Sequence, residues 1–432
     1  MIGVQTGDEG KGVRGAYYVK RAVKLAIDGL NSLDSGKNLP LVWTLRWQGG
    51  GNAGHTVEIE GKTRKLHQIP SGILIPKAYN LMGEGVFYNP REGMQEILNL
   101  QSDGVDISQR NFGIASNAHV TLDYHVDEDQ GDRQKKEHTS TGRGIRPTAV
   151  DKFGRTGLRF EEFLDRQTFI EVLRDKRFPK NFPTSFGSIE NFVDSYEKER
   201  EFLAQFSVLQ SDILNSKDFT YGIGEGAQGF KLDVDKGLYS GITSSNPAIV
   251  PFRVDTVWGV IKMYESSVGH DRPFVGQMHT ELESVARERW NEFGTTTKLP
   301  RDLGWIDIVA LRHAINSCGI DYLIGTCGDR LELMSELSQP VRLVVAYDLD
   351  GKKYSDWDKS FHNRRTLYRA TPVFEEFEPW KVFFDKEKGK LSPNAQIYVD
   401  RIQELTGKEF ALHGYGPGID DVYEVKDALA AA

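Results

Sequence analysis

The sequence predicts an α/β fold: a large central, mostly parallel sheet with flanking helices and helical insertions. Three observations carry that prediction. Short apolar runs alternate with segments of helical period along most of the chain. The first two runs, Ile2 to Val4 and Leu41 to Leu45, each break into glycines, as strands of such sheets do where they turn toward a helix. Between residues 158 and 217 the apolar residues recur mainly at helical spacing, which marks a helical insertion.

In chain order, Ile2 to Val4 reads as a short buried strand opening into Gly7-Asp8-Glu9-Gly10-Lys11-Gly12. Tyr18 to Leu30 is an amphipathic helix, with Val19, Val23, Ala26, Ile27 and Leu30 on one face and basic residues between. Leu41 to Leu45 completes a βαβ opening and leads into Gln48-Gly49-Gly50-Gly51-Asn52-Ala53-Gly54-His55-Thr56. Thr56 to Gln68 reads as a hairpin about Glu60-Gly61-Lys62, and Pro70-Ser71-Gly72-Ile73-Leu74 as a turn into an apolar run. Asp127 to His138 is polar enough to predict a mobile surface loop. Leu158 to Lys176 and Asn191 to Lys217 read as helical, and Phe219 to Ile223 as a strand ending in Gly224-Glu225-Gly226-Ala227-Gln228-Gly229. Beyond it, helices over Leu282–Glu292, Ile306–Ser317 and Asn394–Leu405 alternate with strands at Tyr322–Ile324, Val341–Ala346 and Phe410–His413. No repeat, low-complexity block or linker interrupts the chain. A single domain over 1–432, with its insertion at 158–217, is the simplest organisation.

Bulk properties exclude several function classes. A net charge of −8 argues against general binding to nucleic acid or membrane surfaces. The two cysteines, Cys318 and Cys327, fit a reducing cytosol rather than a disulfide framework. The chain shows no signal peptide and no apolar run long enough to span a bilayer, so a soluble cytoplasmic protein is expected. The opening strand is short, as expected of a chain that has lost residues ahead of it.

The glycine-rich stretches carry the chemistry. Gly7 to Gly12 is a phosphate loop resembling that of P-loop NTPases, because glycines let backbone N–H groups approach a phosphate. It is not a Walker A motif: Gln5 stands where the first glycine would be, and no Ser or Thr follows Lys11. Such a turn can be purely structural, but an Asp-Glu pair beside a lysine is costly in a tight turn unless it binds something. His55 is either a capping histidine of a turn or, among small residues, a side chain left to face a ligand. Gln228 protrudes from flat backbone in the same way. Arg143 and Arg146 read as surface charges, whereas Arg155 beside glycines can grip a phosphate with both ends of its fork. None of the other histidines has metal-ligand spacing, so Mg²⁺ held by Asp8 and substrate phosphates is the metal expectation.

Seven stretches together resemble the signatures of adenylosuccinate synthetases, in the family's order and across nearly the whole chain. They are Gly7 to Gly12, Gln48 to Thr56, Pro70 to Leu74, Thr141-Gly142-Arg143-Gly144-Ile145, Gly224 to Gly229, Thr243-Ser244-Ser245-Asn246 and Glu292-Phe293-Gly294-Thr295-Thr296. The resemblance implies a GTP-dependent ligase that joins L-aspartate to IMP through a 6-phosphoryl intermediate, in the purine route to AMP. On that basis Asp8 is the general base at N1, His55 the acid toward the transferring phosphoryl group, and Gln228 a third catalytic residue. IMP is implied to meet Asp8, Lys11, Asn52, His55, Thr141, Arg155, Gln228 and Thr243, with Arg155 lent across a homodimer interface. GTP is implied to meet Gly7, Gly10, Lys11, Gly12, Gly54, His55, Thr56, Arg301, Asp329, Gly414 and Gly416. Aspartate is implied to bind Thr295, Thr296, Thr297 and Arg301, and Mg²⁺ to sit on Asp8 and the Gly54 carbonyl.

The chain departs from the family at the walls of that site. Thr6 and Val13 replace the usual tryptophan before Gly7 and lysine after Gly12. Leu299 stands where an arginine normally reaches the ribose and the aspartate carboxylate, and Lys298 lacks a bidentate fork. Thr326-Cys327-Gly328-Asp329 replaces a Thr-Lys-Leu-Asp pattern, keeping a carboxylate for guanine but losing the lysine stem that stacks on it. Gly416-Pro417-Gly418-Ile419 replaces a Gly-Pro-Asp-Arg pattern. Two of these losses resemble a viral branch that uses dGMP and ATP, although that branch tends to replace the aspartate that this chain keeps as Asp8. A nucleotide-binding regulator without ligase activity is the non-enzyme alternative. The joint presence of Asp8, His55 and Gln228 argues against it.

Overall fold

In a computed structural model, residues 1–29, 40–134, 140–175, 186–239, 241–268, 274–294, 298–427 and 429 are described. The chain forms two compact units of interleaved sequence, one from Met1–Lys11, Glu58–Lys62 and Gln228–Ala432, the other from Gly12–Val57 and Thr63–Ala227. Both are α/β with flanking helices, and the main sheet of each is mostly or wholly parallel, the expected class.

The first unit is built on a five-stranded sheet in the order Ile2–Gly3, Trp258–Lys262, Tyr322–Thr326, Phe410–Gly414 and Val422–Glu424. The first four strands run parallel and the last is antiparallel. Val260, Ile261, Leu323, Ile324, Ala411 and Leu412 are all buried, as continuous apolar strands covered on both faces must be. Parallel strands deliver their following loops to one edge. That carboxyl edge therefore collects Gly7 to Gly10, Lys262 to Tyr264, Cys327 to Asp329 and Gly414 to Gly416. The helix Ile308–Cys318 starts where the Asp307 side chain accepts the Ala310 N–H at 3.0 Å, and ends at Gly319 with φ 62°. A second sheet pairs Val341–Leu349 with Ile306–Asp307, Lys352–Tyr354 and Thr371–Phe377 over a core that includes Val309, Val344, Tyr347 and Phe361.

The second unit has a wholly parallel sheet in the order Ser207–Val208, Phe112–Ala115, Ala78–Tyr88, Val42–Gly50 and Tyr221–Gly224. The helix Pro90–Ser102 packs beside it, with Asn89 accepting the Glu92 N–H and a proline in its first turn. The expected helical insertion is a set of short helices, Phe160–Leu164, Arg166–Asp175, Ile189–Asp194, Glu197–Leu203 and Gln210–Leu214, interrupted by the strand Ser207–Val208. Phe163, Phe169, Phe192 and Tyr196 form its aromatic core, with ring centroids 5.4 to 6.5 Å apart.

Two local expectations are corrected. The polar stretch from Asp127 is not a loop: it continues the helix Asp123–Gln134, and residues 135–139 lie outside the described set. Acidic and polar residues hide its period, but its first turn is anchored. Tyr124 is buried, and His125 accepts the Leu122 N–H at Nδ1 and meets Asp151 through Nε2 at 2.9 Å. Likewise, the strand Val42–Gly50 runs on through its glycines, and His55 opens the strand His55–Ile59 instead of capping a helix. Among the described residues no helix is long and apolar enough to cross a membrane.

The glycines of Gln48 to Gly51 are required by packing as well as by ligand approach. A Cβ on Gly50 would sit 2.5 Å from the Phe87 carbonyl oxygen and 2.7 Å from Ile145 Cδ1. Gly50→Ala should therefore destabilise the protein by about 1–3 kcal/mol, the usual cost of overpacking. A urea melt unchanged from wild type would mean that the strand moves aside without cost.

Candidate functional site

In the first unit the phosphate loop is tied down by its own acidic residue. Glu9 is fully buried, and its Oε1 accepts the N–H groups of Gly7 at 2.9 Å and Gln5 at 3.2 Å, while Oε2 is ion-paired with Lys11. The Gly7 N–H is thus turned onto Glu9, and the loop reaches its helix at Lys11, the first residue of Lys11–Asp28. Helix N-termini carry unpaired N–H groups and the positive end of the dipole, so Lys11 and Gly12 stand where a phosphate is favoured. Thr326 Oγ1 donates to the Glu9 carbonyl at 2.8 Å, and Gln5 exchanges hydrogen bonds with Lys262, so the loop is braced on two neighbouring strands.

This bracing pushes one side chain outward. Asp8 adopts a left-handed φ of 58° between Gly7 at 93° and Gly10 at 85°, and its side chain is 38% exposed. A left-handed turn costs a non-glycine residue about 1–2 kcal/mol, and such strain persists where its surroundings over-determine it. Arg301 Nη2 donates to Asp8 Oδ2, and its Nη1 donates to Glu292. Burial alone would lower the Arg301 guanidinium, but the carboxylates of Asp8 and Glu292 outweigh it and hold the group charged.

Gln228 is the second strained residue, with φ 52°. Both ends of its amide, Nε2 and Oε1, are buried without a hydrogen-bond partner among the described residues. A buried amide left unsatisfied costs about 1–3 kcal/mol, which a ligand with complementary groups would recover. Its carbonyl oxygen and Lys11 Nζ crowd the same space: a Cβ on Gly3 would lie 2.7 and 2.6 Å from them. The structure thus brings Gly7, Asp8, Lys11, Gln228 and Arg301 together. Thr243 stands in a loop of the same unit, Asp329 opens the short 3-10 turn Asp329–Glu332, and Gly414 ends the strand Phe410–Gly414 with Gly416 just beyond it.

In the second unit the organising residue is His55, only 8% exposed. Its Nδ1 meets Glu225 Oε1, which orients the ring and turns Nε2 to the opposite side. Glu225 follows the strand Tyr221–Gly224 and accepts the Ser71 N–H at 3.1 Å through Oε2. Burial would raise the Glu225 carboxyl, but His55 first, then Arg46 and the Ser71 N–H, hold it below the usual carboxylate range. Gly12 closes over this pair: a Cβ there would lie 2.7 Å from His55 Cβ and 2.8 Å from Ser71 Oγ. Asn52 and Gly54 are half-buried in the loop before His55, and Thr56 is exposed after it. Thr141 lies in the loop before the helix Ile145–Phe153, and Arg155, exposed with φ 61°, lies just beyond that helix. Arg143 and Arg146 pair with Glu92 and Asp132. Thr295, Thr296 and Thr297 lie outside the described residues.

Sequence reading passed over Glu225, Glu292, Lys262, Tyr264, Arg46 and Arg330. Two signals were available. Arg46 and Lys262 are charges near the ends of apolar runs, Val42 to Trp47 and Trp258 to Tyr264, where charge needs a partner. Glu225 is a carboxylate between glycines after a strand, the same pattern as Asp8. Glu292 heads one of the seven signature stretches, but nothing in its local sequence marks it as a buried ion partner.

Two predictions follow from these environments. Gln228→Gly should stay within about 1 kcal/mol of wild-type stability, because relief of the left-handed strain offsets glycine's larger chain entropy. Purine nucleotide binding by calorimetry should weaken about tenfold or more. A large loss of stability with unchanged binding would make Gln228 a core residue instead. The second concerns pH. Glu225 and Glu292 are both held below their ordinary value of 4.5, Glu292 by Lys262, Arg301 and Arg330 against its burial. Carboxylates depressed in the folded state stabilise it above the unfolded value and lose that contribution as pH falls. Urea midpoints should therefore fall below about pH 4.5, and Glu292→Gln should flatten the fall; an unaltered acid limb in that variant would contradict the assignment.

Comparison with known proteins bears on what this geometry serves. The chain aligns with a fully ligated adenylosuccinate synthetase from Plasmodium falciparum at a TM-score of 0.81 and 23% identity, covering 98% of this chain and 99% of that one. It also aligns with the succinoaminodeoxyadenylate synthetase (PurZ) of cyanophage S-2L, solved with dGMP and dATP as an energy donor, at a TM-score of 0.56 and 17% identity. That alignment covers 98% of this chain and 93% of that one. At such identities the likeness is one of fold. The model of the adenylosuccinate synthetase family matches residues 38–423, well over half of the chain. The chain belongs to the adenylosuccinate synthetase family of carbon–nitrogen ligases.

Proposed function

We propose that the protein is an adenylosuccinate synthetase, ligating L-aspartate to IMP with GTP to give adenylosuccinate, GDP and phosphate. The observation that carries the reading is the strained, outward-facing Asp8 on a phosphate loop, held by an arginine that a substrate anion could claim. Asp8 takes the N1 proton of IMP, and O6 attacks the γ-phosphorus as the bond to the β-phosphate oxygen breaks. His55, oriented by Glu225, donates toward the transferring phosphoryl group, and Lys11 with the helix N-terminus neutralises phosphate charge. The aspartate amine then adds at C6, and the C6–O6 bond breaks to release phosphate. Arg301 holds Asp8 at Oδ2, which leaves Oδ1 to accept the N1 proton.

Residues 1–432 act in this reading as one catalytic domain with an insertion at 158–217. Asn52, Thr141, Arg155, Gln228 and Thr243 serve IMP. Gly7, Gly10, Gly12, Gly54, Thr56, Asp329, Gly414 and Gly416 serve GTP, and Thr295, Thr296, Thr297 and Arg301 serve aspartate. Asp8 offers the hard, partly exposed oxygen donor that Mg²⁺ takes, with the Gly54 carbonyl as the family's second ligand. Among the described residues no three His, Cys, Asp or Glu side chains form a cage, so Mg²⁺ would rest largely on substrate oxygens. When bound, it would neutralise charge on the phosphates. A homodimer fits the exposed Val150 and Phe153 beside the exposed Arg155, since apolar side chains at 59% and 71% exposure suit a second copy. A cytoplasmic location fits the two free cysteines.

The second reading is ligation on dGMP with ATP, favoured by Leu299 and Cys327 at positions that read the ribose and the guanine. The cyanophage enzyme that this fold resembles was solved with dGMP and dATP. Purified protein with IMP, GTP, Mg²⁺ and aspartate should show the ultraviolet absorbance rise of adenylosuccinate. Faster turnover of dGMP with ATP would replace the first reading by the second. Asp8→Asn should lower turnover by about 10²-fold or more while leaving the melt unchanged; substantial residual turnover would remove Asp8 as the base.

A further inference from the structure

Glu292 takes four side-chain donors, and the described charges in contact with it and with Asp8 are more positive than negative. Its side chain is fully buried. Oε1 accepts from Lys262 Nζ at 2.7 Å, from Arg330 Nη1 at 2.6 Å and from the Tyr264 hydroxyl, while Oε2 accepts from Arg301 Nη1. Arg301 continues to Asp8, so among the described residues of this cluster three cations face two carboxylates. Excess charge taken out of water is costly unless an opposite charge joins it. Burial pushes the Lys262 ammonium down, Glu292 pulls it up, and Arg301 and Arg330 oppose that pull, while the two arginines are themselves held charged.

The excess has one outlet. The side chains of Lys262, Glu292 and Arg301 are 4%, 0% and 8% exposed, whereas that of Arg330 is 33% exposed. An anion arriving from solvent therefore meets Arg330 before the rest. The Arg330 backbone is set by the turn that follows Tyr322–Thr326, in which its N–H donates to the Cys327 carbonyl at 3.3 Å. Arg301 and Arg330 hold opposite oxygens of one carboxylate, so their guanidiniums are neighbours fixed by the same buried group. Two adjacent guanidiniums with planar forks are suited to a carboxylate or phosphate.

We infer that Arg330 and Arg301, braced on Glu292, form an oxyanion subsite in which Arg330 is the specificity-determining residue for the substrate that carries the oxyanion. The inference rests on the ligase reading for the identity of that substrate, not for the existence of the subsite. Occupation by an oxyanion would balance the cluster and give Arg301 a partner in place of Asp8. Leu299, 40% exposed, offers no charge for that purpose. The alternative is that Arg330 merely clamps Tyr264 and Glu292, in which case its removal alters stability and no substrate affinity.

The test uses full-length Arg330→Met, which keeps the stem, and Arg330→Lys, which keeps the charge. KM is measured for IMP, GTP and L-aspartate in turn, with the other two saturating, beside a thermal melt. Arg330→Met is expected to raise one KM at least tenfold with kcat within threefold of wild type, and Arg330→Lys to recover part of the loss. A shift confined to L-aspartate identifies a carboxylate as the oxyanion, and one confined to a nucleotide identifies a phosphate. All three KM values within twofold of wild type would overturn the inference, as would a uniform rise in all three with a lowered melting temperature. If the wild type shows no ligation, the ligase reading fails separately. Calorimetric titration of wild type and Arg330→Met with GTP, IMP, L-aspartate and inorganic phosphate then decides. Weaker binding of one of them in the variant upholds the subsite, and equal affinities refute it.

Discussion

The carboxylate of Glu292 is the constraint on which the first unit's chemistry depends. It gathers Lys262 from a central strand, Arg330 from the turn after the next strand and Arg301 from the strand Arg301–Gly304. Without it, three cations would share a buried space with Asp8 alone. With it, Arg301 is aimed so that one nitrogen faces Glu292 and the other faces Asp8. Its absence from solvent is what gives these contacts force, because charges interact far more strongly away from water.

Left-handed backbone occurs at ordinary turns such as Glu60, Lys77, Ser338 and Asp350, and also at the candidate site. Asp8, Gln228, Lys298 and Cys327 all have left-handed backbone without being glycine, and each lies in or beside a loop expected to touch substrate. Arg155 does the same in the second unit. Each such residue costs about 1–2 kcal/mol that packing around the loop must offset, as Glu9 does by taking two N–H groups of its own turn. In the second unit the equivalent device is the buried Glu225–His55 pair, whose cost is desolvation and whose return is a fixed imidazole.

The α/β class, most strand and helix positions and the two glycine stretches were legible in the sequence, because they follow from local period and from where glycine is needed. The glycine loops that carry Asp8, His55 and Gln228 were legible because the family pattern spans the chain, while the roles of the three residues rest on the resemblance. The helix Asp123–Gln134 was not, since its side chains are polar around much of its circumference and it is held by two anchors, Tyr124 and His125. Nor was the extension of Val42–Gly50 through its glycines, where pairing with Ala78–Tyr88 overrides their low strand propensity.

Local order in the chain settles which residues stand at the ends of strands, and therefore which chemistry is on offer: a carboxylate, a lysine, an imidazole and an amide among glycines. It does not settle who answers whom. Asp8 meets Arg301 across 293 residues and His55 meets Glu225 across 170, with neither spacing encoded in any period. Those partnerships arise because folding removes the groups from water, and a charge without water must find an opposite charge in space. Sequence places the candidate groups; burial chooses their partners.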